Sequence, residues 1–523
     1  MHTPIELTEL PPAGPVALHA VALRLTAQDN VAVARVALRQ GMTLLVEDGT
    51  AIPVRQFIPG GHKVALSDLA PDAPVLRYGQ IIGFASQPIE AGAHVHTHNV
   101  MIKPVEHAVS AGVNPPVTPI LATQRRTFLG YRREDGRVGT RNTIAVIATV
   151  NCAAHTCHEI AAHFTPERLR PYPHVDGVIP IMHTMGCTDR VGGQNYVLLQ
   201  RTLAGIARHA NVAGCVLVGL GCEVNQVSEL AANHALAGER AATLSIQELG
   251  GVRKTVAAGI AAVERLLPLA NACPRSEQPA SALTLALQCG GSDSWSGVTA
   301  NPLIGRVTDA LVRQGGSAVL GETPEIYGAE HLLMQRAAHP DLVQRLQDKI
   351  AWWQEYTARF GLTINNNPST GNKAGGLTTI YEKSLGAVAK GGTSPLVAVY
   401  DYAAPVKAQG LSFMDTPGYD PVGVTGQVAG GCNLVLFSTG RGSVFGFAPA
   451  PSLKIATHSA RFAHMIDDMD FNAGRILDGE DPQAVAADLF ELVLAVASGQ
   501  RTKSEAQGIG SAEFVPWQVA GII

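Results

Sequence analysis

The chain has 523 residues and a net charge of −4, with 46% apolar and 16% charged positions. That composition excludes a disordered chain. With no long Lys/Arg run, nucleic acid and membrane partners are not expected. The length implies two to four domains, each large enough for its own core. The opening MHTPIELTELPPAG is acidic and Pro-rich, unlike a signal peptide, and no apolar run is long enough to span a bilayer. Eight cysteines in so large a chain are expected to be thiols in a reducing compartment. The expectation is a cytoplasmic enzyme.

Residues 1 to about 17 read as a loose leader. Residues 18–98 are dense in Val, Ala, Leu and short turns, a small and mostly β domain, with alternation in segments such as Asn30 to Val36. It ends in His94-Val-His96-Thr-His98, which on a strand would put three imidazoles on one face. Residues 101–127 carry Pro104, Pro115, Pro116 and Pro119 and read as a linker. A central α/β domain is expected over 128–275. In it, apolar runs at 144–150, 178–182 and 216–220 lead into Cys152, Cys187 and Cys222, and a helix covers Val252 to Leu269. A C-terminal α/β domain is expected over 276–523, with strands at 283–287, 317–320, 396–400 and 434–438. Its helices are expected near 303–314 and 329–358, and a Gly/Asn-rich loop at 365–376.

The strand at 283–287 runs into Cys289-Gly-Gly-Ser292-Asp293, a loop offering a thiol, a hydroxyl and a carboxylate. In open α/β sheets, ligands sit at the carboxyl ends of the strands. Cys152, Cys187, Cys222 and Cys289 therefore suggest one shared metal site, with His94, His96 and His98 as the alternative ligands. Thiolate, imidazole and carboxylate suit Fe(II), replaceable by Mn(II), or zinc, and an iron–sulfur cluster remains open. Cys157, Cys215, Cys273 and Cys432 read as packing. Lys373 and Arg441 lie in Gly-rich loops where a cation can meet an anion. Neither a dinucleotide fingerprint nor a GxxxxGK[ST] loop is present.

At these residues the chain resembles the altronate/galactarate dehydratase family. The matching motifs are Gly139-Thr-Arg-Asn142, Gly219-Leu-Gly-Cys-Glu223, Cys289-Gly-Gly-Ser-Asp293, Ser296-Gly-Val-Thr-Ala-Asn-Pro302, Asn367-Pro-Ser-Thr-Gly-Asn-Lys373, Ser438-Thr-Gly-Arg-Gly442 and Lys454-Ile-Ala-Thr457. The first hundred residues look like the family's small β-clip (antifreeze-like) domain. The resemblance implies metal-dependent dehydration of a sugar acid, typically with iron. Gly92-Ala-His-Val-His-Thr-His-Asn99, Cys222-Glu-Val-Asn-Gln226 and Thr323-Pro-Glu-Ile-Tyr-Gly-Ala-Glu330 lean towards D-altronate. Galactarate dehydration and sulfolactate-type elimination are the alternatives, with a non-catalytic metal-binding protein as the different class. Thr26, where a His is expected, and Met185, where a Tyr is, depart from the pattern. The expected roles are His183 or Lys373 as base, with Asp293 also catalytic. Arg441 is expected on the carboxylate, with Ser292, Asn301, Asn372 and Arg141 also on the substrate. A homodimer is expected.

Overall fold

The protein is described from a computed structural model, which covers residues 15–105, 117–118 and 120–519. Most of the expected leader and the middle of the expected linker lie outside these residues.

The N-terminal module is built of short strands. One sheet runs in the order Ala22–Leu23, Val31–Ala34, Lys63–Ala65, His94–Val95, and all its pairings are antiparallel. The alternation expected around Val31 gives way to four buried residues in a row. Val31 packs into a core shared with the C-terminal domain, whereas Ala32 and Ala34 face the module's own core. A strand buried on both faces loses the alternating pattern.

The central domain holds a four-stranded parallel sheet in the order Gly177–Ile181, Thr143–Ala148, Val212–Gly219, Ala241–Ser245. Helices Ala154–Ala162 and Val252–Asn271 cover one face, through Ile160, Val263 and Leu267. Helix Gln194–Ala207 covers the other and packs on helix Asp420–Ala429 of the C-terminal domain, so Leu199, Leu203, Val424 and Val428 share one core.

The C-terminal domain is a seven-stranded parallel sheet. Its order is Leu396–Tyr400, Gly410–Met414, Ser317–Leu320, Thr284–Cys289, Leu434–Thr439, Ser452–Ala456, Phe471–Asn472. Thr284–Cys289 is therefore central, and its carboxyl end opens among the loops of its neighbours. The long helix expected near 329–358 is broken into Glu330–Met334 and Pro340–Ala358. Pro340 starts the second piece after an extended His339, the position where a missing N–H costs nothing.

Candidate active site

A buried ion cluster seats the N-terminal module on the C-terminal domain. Lys63 Nζ donates to Glu382 Oε1 and Oε2 at 2.8 and 3.0 Å and to Gly376 O at 2.6 Å. Arg77 donates to Glu382 Oε1 at 2.5 Å and to Ser294 O at 2.6 Å. Burial alone would raise the Glu382 carboxyl; the charges of Lys63 and Arg77 overcome it and hold the group at about 2. Burial pulls Lys63 down to about 8, so it stays largely charged at neutral pH. Gly376 takes φ +95, and a Cβ there would lie 2.1 Å from Gly61 O. Only glycine permits this seat.

The seat brings His62 against the helix Thr370–Ala374. His62 Nε2 lies 3.3 Å from Ala374 O, and its Nδ1 lies 3.0 Å from His94 Nε2. His62, His94 and His96 each offer a ring nitrogen, all within 4.8 Å of one another. Desolvation drives His94 to about 4 and His96 to about 3, and it lowers His62 as well, so the rings are neutral at physiological pH. His96 Nδ1 is buried without a hydrogen-bond partner. Three neutral imidazoles with an orphaned nitrogen fit a divalent metal of the Fe(II) or Zn(II) type. The histidine group that the structure brings together thus differs from the expected one. The strand ends at Val95, and a turn held by Asn99 carries His96 and the exposed His98. His62, next to the Gly60-Gly61 turn, takes the third place in the group, where His98 was expected.

Beside this group lies a cationic loop cluster. A Cβ on Gly375 would sit 2.9 Å from Asp293 Cβ and 3.2 Å from Arg441 Cδ, which places those side chains together. Arg441 is exposed, and Arg461 Nε is buried without a partner. Lys373, half-buried, precedes the residue whose carbonyl meets His62. Asp293 organises the loop. Its Oδ1 accepts from Trp295 N, Ser296 N and Ser296 Oγ at 3.0, 2.9 and 3.1 Å, and its Oδ2 accepts from Thr457 Oγ1 at 3.1 Å. His458 Nε2 stands 3.8 Å from Asp293 Oδ2. Ser292 Oγ is buried without a partner. His62, His458 and Arg461 are the residues that sequence reasoning missed. His458 follows directly on the Lys454-Ile-Ala-Thr457 motif, the one signal that could have found it.

Other expected site residues are placed elsewhere. The four cysteines do not share one site. Cys289 is buried in the C-terminal domain, 3.6 and 3.5 Å from Glu322 and Glu325, with Lys390 Nζ at 2.8 Å. Lys390 and Lys383 pair with Glu322 and Glu325, so the carboxylates there are already balanced. Cys152, Cys187 and Cys222 are exposed at the strand ends of the central domain. His183 is buried, Nε2–H donating to Ala148 O at 2.8 Å while Nδ1 accepts from Met185 N at 3.1 Å. Neither nitrogen is left to take a substrate proton. Arg141 is tied to Glu505, Val496 O, Gln500 O and Thr140 O. Asn301 bridges Gly386 O and Ser438 Oγ. Asn372 caps its helix through Ser369 N and donates to Ser292 O at 2.8 Å. All three are structural ties here.

The chain matches three family descriptions in succession. These are "Altronate/galactarate dehydratase SAF domain" over residues 20–103, "D-galactarate dehydratase/Altronate hydrolase, second domain" over 130–271, and "D-galactarate/Altronate dehydratase, C-terminal" over 280–522. It is 35% identical to the altronate dehydratase of Bacillus subtilis over 92% of this chain and 96% of that one. The chain belongs to the altronate/galactarate dehydratase family. Within the family it is also 35% identical to the galactarate dehydratase (L-threo-forming) of Escherichia coli, over 85% of this chain and 87% of that one. The beta subunit of (2R)-sulfolactate sulfo-lyase from Chromohalobacter salexigens is 32% identical over 75% of this chain and 97% of its own length.

Proposed function

We propose that this protein is a metal-dependent hydro-lyase that dehydrates a sugar acid, D-altronate first among candidates, to a 2-dehydro-3-deoxy acid and water. The observation that carries the reading is the meeting of the His62–His94–His96 group with the cationic loops of Lys373, Arg441 and Arg461. The altronate-like stretches and the relatives named altronate dehydratase favour that substrate. Among the described residues no helix is long and apolar enough to cross a membrane, and none of the eight cysteines is in a disulfide. Both agree with work in the cytoplasm.

His62, His94 and His96 would hold the metal, Fe(II) or Mn(II). Such an ion supplies charge neutralisation for an acid losing its C2 proton and help for a departing hydroxyl. Arg441 and the orphaned Arg461 Nε bind the substrate carboxylate and set C2 towards the Thr370–Ala374 helix. Lys373 Nζ takes the C2 proton. Asp293 is a positioning residue: it fixes the loop that presents Ser292. The docked N-terminal module forms one wall of the site, through His62, His94 and His96.

The test is turnover of altronate, galactarate and sulfolactate by oxygen-free enzyme supplied with Fe(II). Altronate is expected to exceed galactarate in kcat/KM by about tenfold, roughly 1.4 kcal/mol in the transition state. A galactarate preference overturns the substrate, and no turnover of any of the three overturns the reading. His94→Ala should lose both the metal and the activity.

A further inference from the structure

Seven of the eight cysteines are either buried or exposed, and Cys273 is intermediate. Cys157, Cys215, Cys289 and Cys432 are buried, and burial raises each thiol, Cys215 to about 12. They are protonated packing groups at neutral pH. Cys152, Cys187 and Cys222 are exposed. Cysteine is among the most buried residue types, so three exposed thiols at equivalent places in one sheet call for a reason.

Each follows one of three adjacent parallel strands, Thr143–Ala148, Gly177–Ile181 and Val212–Gly219. The three loops are laced together by their backbones. Asn151 N donates to Met185 O at 3.0 Å, Val224 N to Cys187 O at 3.3 Å, and Asn225 N to Gly186 O at 3.1 Å. Asn225 Nδ2 adds a bond to Thr149 O at 2.8 Å. Gly186 has φ +98, and a Cβ on it would lie 2.4 Å from Thr149 O, so the second loop passes directly over the first. The buried Glu223 carboxylate accepts from Leu220 N, Gly221 N and Thr149 Oγ1, which stiffens the third loop against the first. The thiols thus stand on a rigid frame at the ligand-binding end of the sheet.

Their number and their failure to converge on one point bear on what they hold. Two sulfurs on one tetrahedral zinc lie only about 3.8 Å apart, given a bond of about 2.3 Å. Among the described residues, the groups converging within 4.8 Å are His62–His94–His96 and Cys289–Glu322–Glu325. The exposed cysteines form no such group, although their loops are bonded to one another. A ligand wider than one ion, bound by thiolates alone, is an iron–sulfur cluster.

We propose that Cys152, Cys187 and Cys222 hold a cubane iron–sulfur cluster, a centre separate from the histidine group. Each thiol gives its proton to solvent as its sulfur bonds to iron. With three protein thiolates for four irons, one iron keeps a position for an external oxygen ligand. Asn151, His183, Thr184 and Met185 of the same loops line a cavity of about 600 Å³, with Trp353, Tyr419 and Phe514 among its other walls. The proposal does not rest on the sugar-acid reading.

The test is anaerobic reconstitution of the full chain with ferrous and ferric iron in equal amounts and sulfide, read as iron, acid-labile sulfide and visible charge-transfer absorption. The wild type is expected to take up about four irons and four sulfides per chain beyond the histidine-bound metal. Cys152→Ser, Cys187→Ser and Cys222→Ser should each lose at least about three quarters of the sulfide, their circular dichroism unchanged because these side chains are exposed. Cys432→Ser should keep it, and so should His94→Ala, which separates this centre from the proposed mononuclear site. Absence of acid-labile sulfide in the wild type overturns the proposal. So does a single thiolate-bound ion without sulfide, or a cluster that survives all three exposed replacements.

Discussion

His183 and His209 show how one side chain can imitate a catalytic group and be a structural one. In each, Nδ1 accepts a backbone N–H from two residues on, and Nε2–H donates to a buried carbonyl, of Ala148 or of Cys432. Desolvation lowers both to about 4. The folded value lies below the unfolded 6.5, so between the two the unfolded chain binds the additional protons. The stabilisation is present in full above pH 6.5 and is lost as pH falls towards 4. Each ring contributes up to roughly 3 kcal/mol across that window. Urea midpoints should therefore drop steadily from pH 7 to pH 4.5. His209→Gln, which keeps a donor for Cys432 O, should show a shallower slope; an unchanged slope means the ring does not titrate on unfolding. Lys373 gives the opposite case, a side chain in a polar loop with no core duty. Lys373→Ala should retain its melting temperature and lose about a hundredfold or more in kcat, and near-normal turnover would return Lys373 to the surface.

At the scale of elements, strand ends were legible and their partnerships were not. The runs at 144–150, 283–287 and 434–438 are mostly apolar segments and emerge as the strands Thr143–Ala148, Thr284–Cys289 and Leu434–Thr439. Ser452–Ala456 escaped notice because it carries Lys454, which is fully buried with Nζ donating to Phe445 O at 3.0 Å. Which loops face which depends on strand order, and strand order has no local signature. For that reason Cys289 was grouped with cysteines of another sheet, and His62, 32 residues before His94, was not grouped with it. The Lys63–Glu382–Arg77 cluster was equally hidden, since its members are 319 and 305 residues apart. Glu382→Gln leaves two buried cations without a counter-charge, a loss of about 3–5 kcal/mol. The N-terminal module should loosen first. Limited proteolysis of the N-terminal module should accelerate, and metal at His62, His94 and His96 should fall with it. A variant cut no faster than wild type would show that apolar packing alone holds the module.

For the whole molecule, the question is how the N-terminal module and the two α/β domains hold one geometry. The central and C-terminal domains share the core of Leu199, Leu203, Val424 and Val428, but a shared apolar core fixes distance more than orientation. Orientation comes from Arg141, at the start of the central sheet. Its guanidinium is buried and donates to Glu505 through Nε and Nη2, at 2.6 and 2.8 Å, and to Val496 O and Gln500 O at 2.8 and 3.0 Å. Burial would raise the Glu505 carboxyl, and Arg141 with the Thr502 groups overcomes that and lowers it. A guanidinium with every branch engaged cannot also bind a substrate, which is why the Gly139-Thr-Arg-Asn142 motif reads here as a hinge pin. Arg141→Ala strands the Val496 and Gln500 carbonyls and a partly buried carboxylate, and should cost about 2–5 kcal/mol of stability. Arg141→Lys should recover only part of that, because one ammonium cannot serve acceptors on three sides. For either variant, KM for the sugar acid should remain within about twofold of wild type in protein that is still folded, since lost structure lowers the amount of enzyme and not its affinity. A large rise in KM at unchanged melting temperature would return Arg141 to the substrate.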